Sequence, residues 1–578
     1  MKRNPIFLFL LLLAAVSCGG PEDGVYRLQL FTTNDVHGRY FDSLYVGDGT
    51  RQSLYAVSHY VDSVRKADGA ENVILVDAGD CLQGDNAAYY FNYVDTVTTH
   101  VYARMVNYMK YDAVVVGNHD VETGHAVYDR VARQLDMPFM GANAIRNDNG
   151  KPYFDDCTII RRNGLKVAVL GFTNPNMKNW LSEELWSGMH FESLIPIVQN
   201  NVDKVIEEEK PHVVIVAVHA GTGKGDGKSL DSQGMDLFNS LKGVDFLVCS
   251  HDHRPFVKGK DDLYLINSGS HCRNIGHGTV TLEVKDGKVV SKELSAELIP
   301  VRKDDTDTVM ANMFHRDYEA VKAFTVKPVG TLARDMRTRD AYTGMSDYTD
   351  LLHTLCLSCS PAQISFAAPL TFNAEVKAGT LVYNDLFTIY PFENQLFVVK
   401  MTGKEIKDYL EYSYRSWVNT VSGKRGEHLL RIKNEADPRT GQDRWSFKGL
   451  AYNFDSAGGL VYTVDVTRPA GERVNIVSLS DGTPFSMEST YNVAMTSYRA
   501  SGGGGIMRYG AGIDTDDIES RVVAKYPEIR NILYDYLMEN GTVDPRTTGD
   551  PEVIGHWEFV PEKLAGRMMA ADMGLLFE

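Results

Sequence analysis

The sequence has little of what marks a membrane-spanning or disulfide-built protein. Its N-terminal apolar run, residues 6–16, is too short for a membrane-spanning helix, which needs about 20 residues. The seven cysteines are scattered along 578 residues, so a dense disulfide scaffold is not indicated. Basic residues are outnumbered by acidic ones, 59 against 76. An acidic surface repels polyanions, and a role in binding duplex nucleic acid is therefore disfavoured.

The N-terminus has the layout of an export signal. Lys2 and Arg3 precede the apolar run, and the small residues Ala14, Ala15 and Ser17 come before Cys18. Residues 1–17 resemble a bacterial lipoprotein signal peptide, which implies lipidation of Cys18 and a lipid anchor in a bacterial membrane, on the periplasmic side or at the cell surface. The alternative is a plain secreted protein cleaved nearby. Loss of the two basic residues takes the net charge from −17 to −19.

The length of the chain predicts two domains, because 578 residues exceed what one hydrophobic core usually holds. Residues 301–326 change character: apolar residues recur there at helical spacing between a charged segment and Pro328. We therefore expect a first domain over 24–300, a linker helix over 301–326 and a second domain over 327–578.

Five apolar segments are predicted to be strands that each run into polar side chains. They lie at residues 26–31, 73–76, 113–116, 213–218 and 246–249. Helical patterns lie between them, at residues 101–110, 126–135 and 194–210. This alternation predicts a layered α/β domain. Reactive residues are then expected at the carboxyl edge of the sheet.

The side chains that follow these strands are donors for metal ions. The set is Asp35, His37, Asp80, Asn118, His219, His251 and His253. Histidine, carboxylate and amide donors suit borderline divalent ions such as zinc or manganese. Seven ligands are too many for one ion, but with one shared carboxylate they would serve two. A single residue of these types after a strand is more often a cap or a turn former. The prediction therefore depends on donors following all five strands.

These residues lie in blocks that resemble a known family. The blocks are Asn34-Asp35-x-His37-Gly38, Asp77-x-Gly79-Asp80, Gly117-Asn118-His119-Asp120, His219 and Ser250-His251-x-His253. In this order they resemble the calcineurin-like metallophosphoesterases, and in particular the bacterial periplasmic nucleotidases. The resemblance implies a layered sheet sandwich. It also implies one metal on Asp35, His37, Asp80 and His253, and a second on Asp80, Asn118, His219 and His251, with Asp80 as the bridge.

Two departures from the family pattern concern the site. Ser250 stands where the family usually has glycine before its last His-x-His block. The family pairs the histidine after Gly-Asn with an aspartate three positions on, where this chain has Glu122. We expect Glu122 to orient His119 through the same hydrogen bond; the alternative is that Glu122 faces solvent.

The second half of the chain resembles the α+β substrate-binding domain of the same nucleotidases. Tyr390-Pro-Phe-Glu-Asn-Gln-Leu396 carries that likeness, and the segments that begin at Tyr452 and Ser497 are most similar to the branch that hydrolyses 2′,3′-cyclic and 3′-nucleotides. That likeness implies a base held between Tyr452 and Tyr498, although both can be ordinary strand residues. The Asn-x-Gly-x-x-Arg phosphate motif of the 5′-nucleotidase branch is absent; Ala367-Ala368-Pro369-Leu370 stands in its place.

The hypothesis is a metal-dependent phosphohydrolase acting on nucleotides outside the cytoplasm. A hydroxide bridging two divalent ions would attack phosphorus in line, Asn118 would contact a metal and the phosphate, and His119 would protonate the leaving group. The most favoured substrates are 2′,3′-cyclic and 3′-nucleotides. A 5′-nucleotide, a nucleotide sugar or another phosphoester is the alternative, and a non-catalytic binding lipoprotein is less favoured. The sequence gives no oligomeric state.

Overall fold

The computed structural model describes residues 20–577, apart from residue 261, residues 437–442 and residues 545–550. The predicted signal peptide and Cys18 lie outside the described residues. Among the residues that are described, no helix is both long enough and apolar enough to cross a membrane.

Residues 24–300 form two six-stranded sheets. In spatial order the first contains Lys288–Pro300, Asn274–Lys285, Gly24–Thr33, Val73–Asp77, Ala113–Val115 and Phe139–Met140. The second contains Phe256–Lys260, Leu263–Asn267, Phe246–Val248, Val213–Val218, Leu165–Phe172 and Cys157–Arg162. Each sheet contains three parallel pairs of neighbouring strands. They run from Gly24–Thr33 to the edge strand Phe139–Met140 in the first sheet and from Leu263–Asn267 to Leu165–Phe172 in the second. Parallel strands place their carboxyl ends at one edge of each sheet.

The two sheets pack face to face, with helices on their outer faces. Ile74 and Val76 of one sheet share a core with Val213 and Ile215 of the other. Central strands buried on both faces favour continuous β-branched runs, as in Val73–Asp77 and Val213–Val218. The predicted layered α/β fold is confirmed.

The three predicted helices are present, as Val101–Met109, His125–Ala132 and Leu194–Glu209. Five further α-helices were not predicted: Leu54–Asp68, Asn86–Tyr89, Asn118–Val121, Met177–Trp180 and Gly234–Ser240. A short strand pair, Ala144–Arg146 with Met189–Phe191, lies beside them.

The predicted single linker helix over 301–326 is instead two helices, Thr308–Met313 and His315–Thr325. They meet at Phe314, whose backbone leaves the helical region with φ −99° and ψ 10°. Phe314 is buried in the first part of the chain, and the guanidinium of Arg104 lies over its ring. Burying this ring requires the break, which helical periodicity alone does not reveal.

Residues 328–577 form an α+β unit. Its five-stranded sheet has the order Ser456–Gly458, Ile364–Ala367, Thr490–Thr496, Gln395–Thr402 and Val522–Glu528. Smaller sheets contain Pro328–Leu332, Met336–Arg337, Glu375–Val376, Gly379–Val382, Ile432–Ala436, Asp443–Phe447, Leu460–Asp465, Val474–Leu479, Thr542–Val543 and Gly555–Val560. The α-helices are Asp347–Ser358, Tyr383–Ile389, Gly403–Trp417, Ser497–Ala500, Ile529–Asn540, Pro551–Ile554 and Glu562–Phe577.

Side chains from the two parts meet near the polar edge of the sheets. Phe324 of the connecting helix lies against Tyr89 of the first part and Tyr383 of the second, with ring centroids 6.2 and 4.3 Å away. Nδ2 of Asn86 donates to Oδ1 of Asn384 over 2.9 Å. The second part therefore faces the edge at which the predicted ligands lie.

Candidate metal and phosphoester site

Each predicted ligand lies within five residues of the end of a strand, and most of them have an unusual backbone conformation. Five of the seven have φ between 47° and 68°: Asp35, His37, Asp80, His251 and His253. This left-handed region is uncommon for residues other than glycine, and such strained residues concentrate at functional sites. The turns bring donors from the first sheet and donors from the second sheet into one space.

Asp35, His37 and His253 form the first group of donors. Nε2 of His37 lies 2.9 Å from Nε2 of His253, and Oδ1 of Asp35 lies 3.4 Å from the latter atom. Nδ1 of His37 lies 3.0 Å from the amide oxygen of Gln83. Because an amide oxygen only accepts, the His37 proton is on Nδ1 and its Nε2 presents a lone pair.

Asp80, His219 and His251 form the second group, together with Asn118. Oδ1 of Asn118 lies 3.1 Å from Nε2 of His219 and 2.9 Å from Nδ1 of His251. Nδ1 of His219 donates to the carbonyl of Ala78 over 2.8 Å, so Nε2 presents a lone pair to the group. All seven predicted ligands therefore converge, while the bridging position of Asp80 remains a prediction because Asp80 falls only in this group.

The donor chemistry of both groups fits cations. Oδ2 of Asp80 is buried and accepts no hydrogen bond, although it lies 3.1 Å from Nε2 of His219. Burial lowers the pKa of His219, but the carboxylate of Asp80 outweighs burial and raises it to about 9. Lone pairs that face one another at these distances repel unless a proton or a cation lies between them. A divalent ion bound by each group would relieve that repulsion and satisfy the orphaned oxygen.

His251 has two partners that the sequence did not indicate. Its Nε2 lies 3.8 Å from Oδ2 of Asp231, and the indole ring of Trp180 stacks on its imidazole, with centroids 5.0 Å apart. A carboxylate on the far nitrogen of a ligand histidine fixes the tautomer and the ring orientation. Asp231 lies on a loop twenty residues before His251, and no local motif marks it.

Ser250, the departure from the family pattern, is fully buried behind His219. Its hydroxyl lies 3.0 Å from Nδ1 of His219 and donates to the carbonyl of Ala78 over the same distance. The serine thus contacts the imidazole and the carbonyl that orients it. The substitution for glycine adds a polar contact behind the ligand without entering the metal-facing space.

The predicted pairing of His119 with Glu122 is present in the structure. Nδ1 of His119 donates to Oε2 of Glu122 over 2.5 Å, and Glu122 does not face solvent, since its side chain is only 9% exposed. Burial lowers the pKa of His119, but Asp80 and Glu122 outweigh burial and raise it to about 10. The backbone N–H of His119 donates to Oδ1 of Asp80, so the imidazole is anchored beside the second group.

Asp120, the neighbour of His119, has a structural position. Its carboxylate accepts hydrogen bonds of 2.8–2.9 Å from the backbone N–H groups of Asp80, Cys81, Leu82 and Gly117. It thereby ties the turn that carries Asp80 to the turn that carries Asn118. A Cβ on Gly117 would lie 2.1 Å from Oδ1 of Asp80, so only glycine fits at this close approach.

Tyr452 and Tyr498 are neighbours, as predicted, but their rings are not parallel. The centroids are 6.4 Å apart and the planes meet at 77°. Phe392 lies on another side of Tyr452, at 6.0 Å and 72°. A base needs two roughly parallel ring faces, whereas here the edge of one ring meets the face of the other. One of the rings would have to rotate before a base could lie between them. The sandwich itself remains a prediction.

A cleft separates the His119–Glu122 pair from the second part of the chain. Glu393 and Glu528 line its opposite wall, and Nη1 of Arg530 lies 2.5 Å from Oε1 of Glu393. The sequence likeness marked the segment around Glu393 but not its position across from His119. The cleft beside His119 is therefore lined by both parts of the chain.

Comparisons with known proteins agree with this architecture. Residues 29–255 match the model of the calcineurin-like phosphoesterase family, and residues 324–510 match that of the 5′-nucleotidase C-terminal domain. The chain is 25% identical to a trifunctional nucleotide phosphoesterase of Bacillus subtilis, over 99% of this chain and 41% of that protein. It thus spans less than half the length of that relative.

Two further proteins match over most of their length. A 2′,3′-cyclic-nucleotide 2′-phosphodiesterase/3′-nucleotidase of Yersinia enterocolitica is 22% identical, over 87% of this chain and 85% of its own. The solved structure of a candidate 5′-nucleotidase from Staphylococcus aureus superposes with a TM-score of 0.74 at 22% identity, over 92% of this chain and 99% of its own. Calcineurin-like phosphoesterases use divalent metals, and the two donor groups are suited to hold such ions. The chain is therefore an enzyme built of a calcineurin-like phosphoesterase domain and a 5′-nucleotidase C-terminal domain.

Proposed function

We propose that this enzyme hydrolyses nucleotide phosphoesters, with 2′,3′-cyclic and 3′-nucleotides as its preferred substrates. The observation that carries the proposal is the convergence of seven metal donors beside the His119–Glu122 pair. The two neighbouring tyrosines of the second part support a nucleotide as the substrate. The preference for cyclic and 3′-esters is supported by the segment at Ala367 and Ala368. These residues are buried and apolar, so they offer no guanidinium to a 5′-phosphate.

Two divalent ions, zinc or manganese by donor type, would be held by the two donor groups, and when bound they would supply charge stabilisation at phosphorus and an activated water. The chain itself orients the donors. The amide oxygen of Gln83 and the carbonyl of Ala78 accept hydrogen bonds from the far nitrogens of His37 and His219 and orient their other nitrogens toward the donor groups. Asp231 lies 3.8 Å from the far nitrogen of His251, as an ion-pair neighbour. Asn118 directs its amide oxygen at the second group, which leaves its amide nitrogen free to donate to a phosphoryl oxygen.

His119 is the proposed proton donor to the leaving oxygen. Glu122 holds the proton on Nδ1, so Nε2 carries the proton that can be given up when the imidazole is charged. The carboxylates that raise the pKa of His119 keep it protonated at neutral pH. A general acid of this kind contributes about 10²–10⁴-fold to the rate.

Tyr452 and Tyr498 are proposed to hold the base. Tyr498 is 39% exposed, so its ring has room to turn from edge-to-face toward a parallel arrangement. An aromatic face contributes about 1–3 kcal/mol per stacked base and accepts every base. We therefore expect discrimination between ester positions to exceed discrimination between bases.

We further propose that the chain is exported and lipidated at Cys18, with its domains divided near residue 326. The basic residues, apolar run and small residues before Cys18 support export. The proposed anchor is tested by metabolic labelling with a fatty acid, using Cys18→Ala as the matched variant. Label retained by that variant contradicts the lipid anchor.

The decisive test of function is phosphate release from matched esters of one nucleoside. Wild-type enzyme loaded with zinc or manganese is compared on 2′,3′-cyclic AMP, 3′-AMP, 5′-AMP and a nucleotide sugar. A coupled phosphatase is added for the cyclic ester and the nucleotide sugar, because their first cleavage releases no inorganic phosphate. We expect the highest kcat/KM for the cyclic and 3′-esters. A higher kcat/KM for 5′-AMP or the nucleotide sugar contradicts the proposed preference, and no release from any ester contradicts the activity.

A further inference from the structure

We infer that Arg499 is a positioning residue that fixes both halves of the base platform, defined here as Tyr452 and Tyr498. The inference rests on the proposed function, because it assumes that a nucleotide base occupies this platform. It assigns to one buried guanidinium the task of holding two segments that lie about fifty residues apart in sequence.

Arg499 forms a buried, two-pronged ion pair with Asp455. Its side chain is 4% exposed, as is that of Asp455. Nε and Nη2 donate to the two carboxylate oxygens over 2.8 and 2.7 Å. The hydroxyl of Tyr409 donates to the same carboxylate. Bidentate charge-assisted bonds of this type are short and fix orientation as well as distance.

The remaining donors of Arg499 reach the two tyrosine segments. Nη2 donates to the carbonyl of Tyr452 over 2.9 Å, and Nη1 donates to the carbonyl of Gly503 over 2.6 Å and to Oδ1 of Asn453 over 3.1 Å. The guanidinium carbon also lies 5.4 Å from the centroid of the Tyr498 ring. One side chain thus bonds the backbone of Tyr452, the first platform residue, and the backbone just after Tyr498, the second platform residue.

The glycines after Tyr498 are explained by the same packing. A Cβ on Gly503 would lie 2.4 Å from Cε2 of Tyr498. A Cβ on Gly504 would lie 2.6 Å from Nη1 of Arg499 and 2.4 Å from Oδ1 of Asn453, at a φ of 70°. The segment is therefore glycine-rich because the Tyr498 ring and the Arg499 guanidinium occupy the space that side chains would need.

Lysine cannot replace Arg499 in this role. A single ammonium keeps the charge that compensates Asp455, but it cannot present a planar fork to Asp455 and still reach both Tyr452 and Gly503. Arg499→Lys therefore separates positioning from charge. Removing the charge altogether would leave a buried carboxylate unpaired, which is strongly destabilising.

The test compares Arg499→Lys with Tyr498→Ala and with Arg425→Lys, a matched change at an exposed arginine. KM is measured for 3′-AMP and for 4-nitrophenyl phosphate, which has no base. We expect the KM for 3′-AMP divided by the KM for 4-nitrophenyl phosphate to rise about tenfold in Arg499→Lys. This change lies within the range that one stacked base supplies. Tyr498→Ala should raise the ratio similarly, and Arg425→Lys should match wild type. An unchanged ratio in Arg499→Lys, with both KM values moving together, overturns the positioning role.

Two further measurements keep the result decisive. Where thermal denaturation shows that Arg499→Lys is unfolded, Gly504→Ala replaces it, because the added methyl displaces Nη1 and leaves every charge in place. Adenosine binding, followed by saturation-transfer NMR on the wild type and the variant, is independent of turnover. Adenosine bound by wild type but not by the variant supports the inference even when 3′-AMP is not hydrolysed, which would contradict only the proposed function. Failure of wild type to bind adenosine overturns the inference.

Discussion

Replacing Glu122 by glutamine tests whether His119 donates a proton to the leaving group. The amide has the shape of the carboxylate, so Nδ1 of His119 keeps an acceptor at a separation close to the present 2.5 Å. What is lost is the charge. A hydrogen bond to a charged acceptor contributes about 1.5–3 kcal/mol and a neutral one about 0.5–1.5 kcal/mol. The difference of roughly 1.4 kcal/mol corresponds to about a tenfold fall in kcat.

The pH profile of the same variant has a predicted direction. Burial lowers the pKa of His119, and Asp80 and Glu122 together raise it to about 10. Removing the charge of Glu122 lowers that pKa. A proton donor works only below its pKa, so activity should be lost at a lower pH in Glu122→Gln than in wild type. If the basic limb of the pH–rate profile does not move in Glu122→Gln, the carboxylate of Glu122 is not a source of the raised pKa of His119.

The leaving group separates proton donation from other roles of His119. The alkoxide released from 3′-AMP needs a proton, whereas nitrophenolate is stable as an anion. His119→Ala should therefore reduce kcat for 3′-AMP by about 10²–10⁴-fold and reduce kcat for 4-nitrophenyl phosphate far less. Metal content, measured by elemental analysis, should stay near that of wild type. Equal losses on both substrates, or loss of metal, would refute the reasoning.

Three other perturbations have defined outcomes. Asp80→Asn should lower metal content measured after gel filtration, because it removes charge at a buried oxygen without a hydrogen-bond partner; full retention contradicts a ligand role. Asp120→Asn replaces an acceptor of four backbone N–H groups and should lower the free energy of unfolding by about 1–3 kcal/mol, measured by denaturation in chelator. Burial lowers the pKa of His353 to about 3, below its unfolded value, so its contribution to stability is present above pH 6.5 and lost as pH falls. At pH 5 protonation of this group in the unfolded state should lower the free energy of unfolding of wild type by about 2 kcal/mol. His353→Asn should therefore show a smaller decrease in Tm between pH 7.5 and pH 5.

The convergence of the seven donors could be predicted from sequence because each donor is fixed locally. A buried strand, a turn and a donor lie within a few residues of one another, as at Val218 and His219. Parallel strands then place the turns at one edge without any further information. The pairing of His119 with Glu122 was predictable for the same reason, since three residues separate the two along one helical turn.

What could not be predicted depends on residues that are distant in sequence. Asp231 is recognisable as a partner of His251 only when the loop between strands is folded. The angle of 77° between Tyr452 and Tyr498 brings together two segments that lie far apart in sequence, and neither motif alone specifies it. Phe314 divides the linker helix because its ring is buried against the first part of the chain, a contact that helical periodicity does not encode.

The different surroundings of the two donor groups predict which group releases its ion first. In the second group His219 is fully buried and His251 is contacted by Asp231 and Trp180. In the first group the side chain of His253 is 42% exposed, and the described part of the chain supplies no orienting partner for its far nitrogen. Outer contacts of this kind typically change metal affinity by about 10–100-fold. Titration with a chelator should therefore remove the ions in two steps, and His253→Ala should retain about one ion per chain. Release of both ions in a single step, or an empty His253→Ala variant, would show that the two groups do not bind independently.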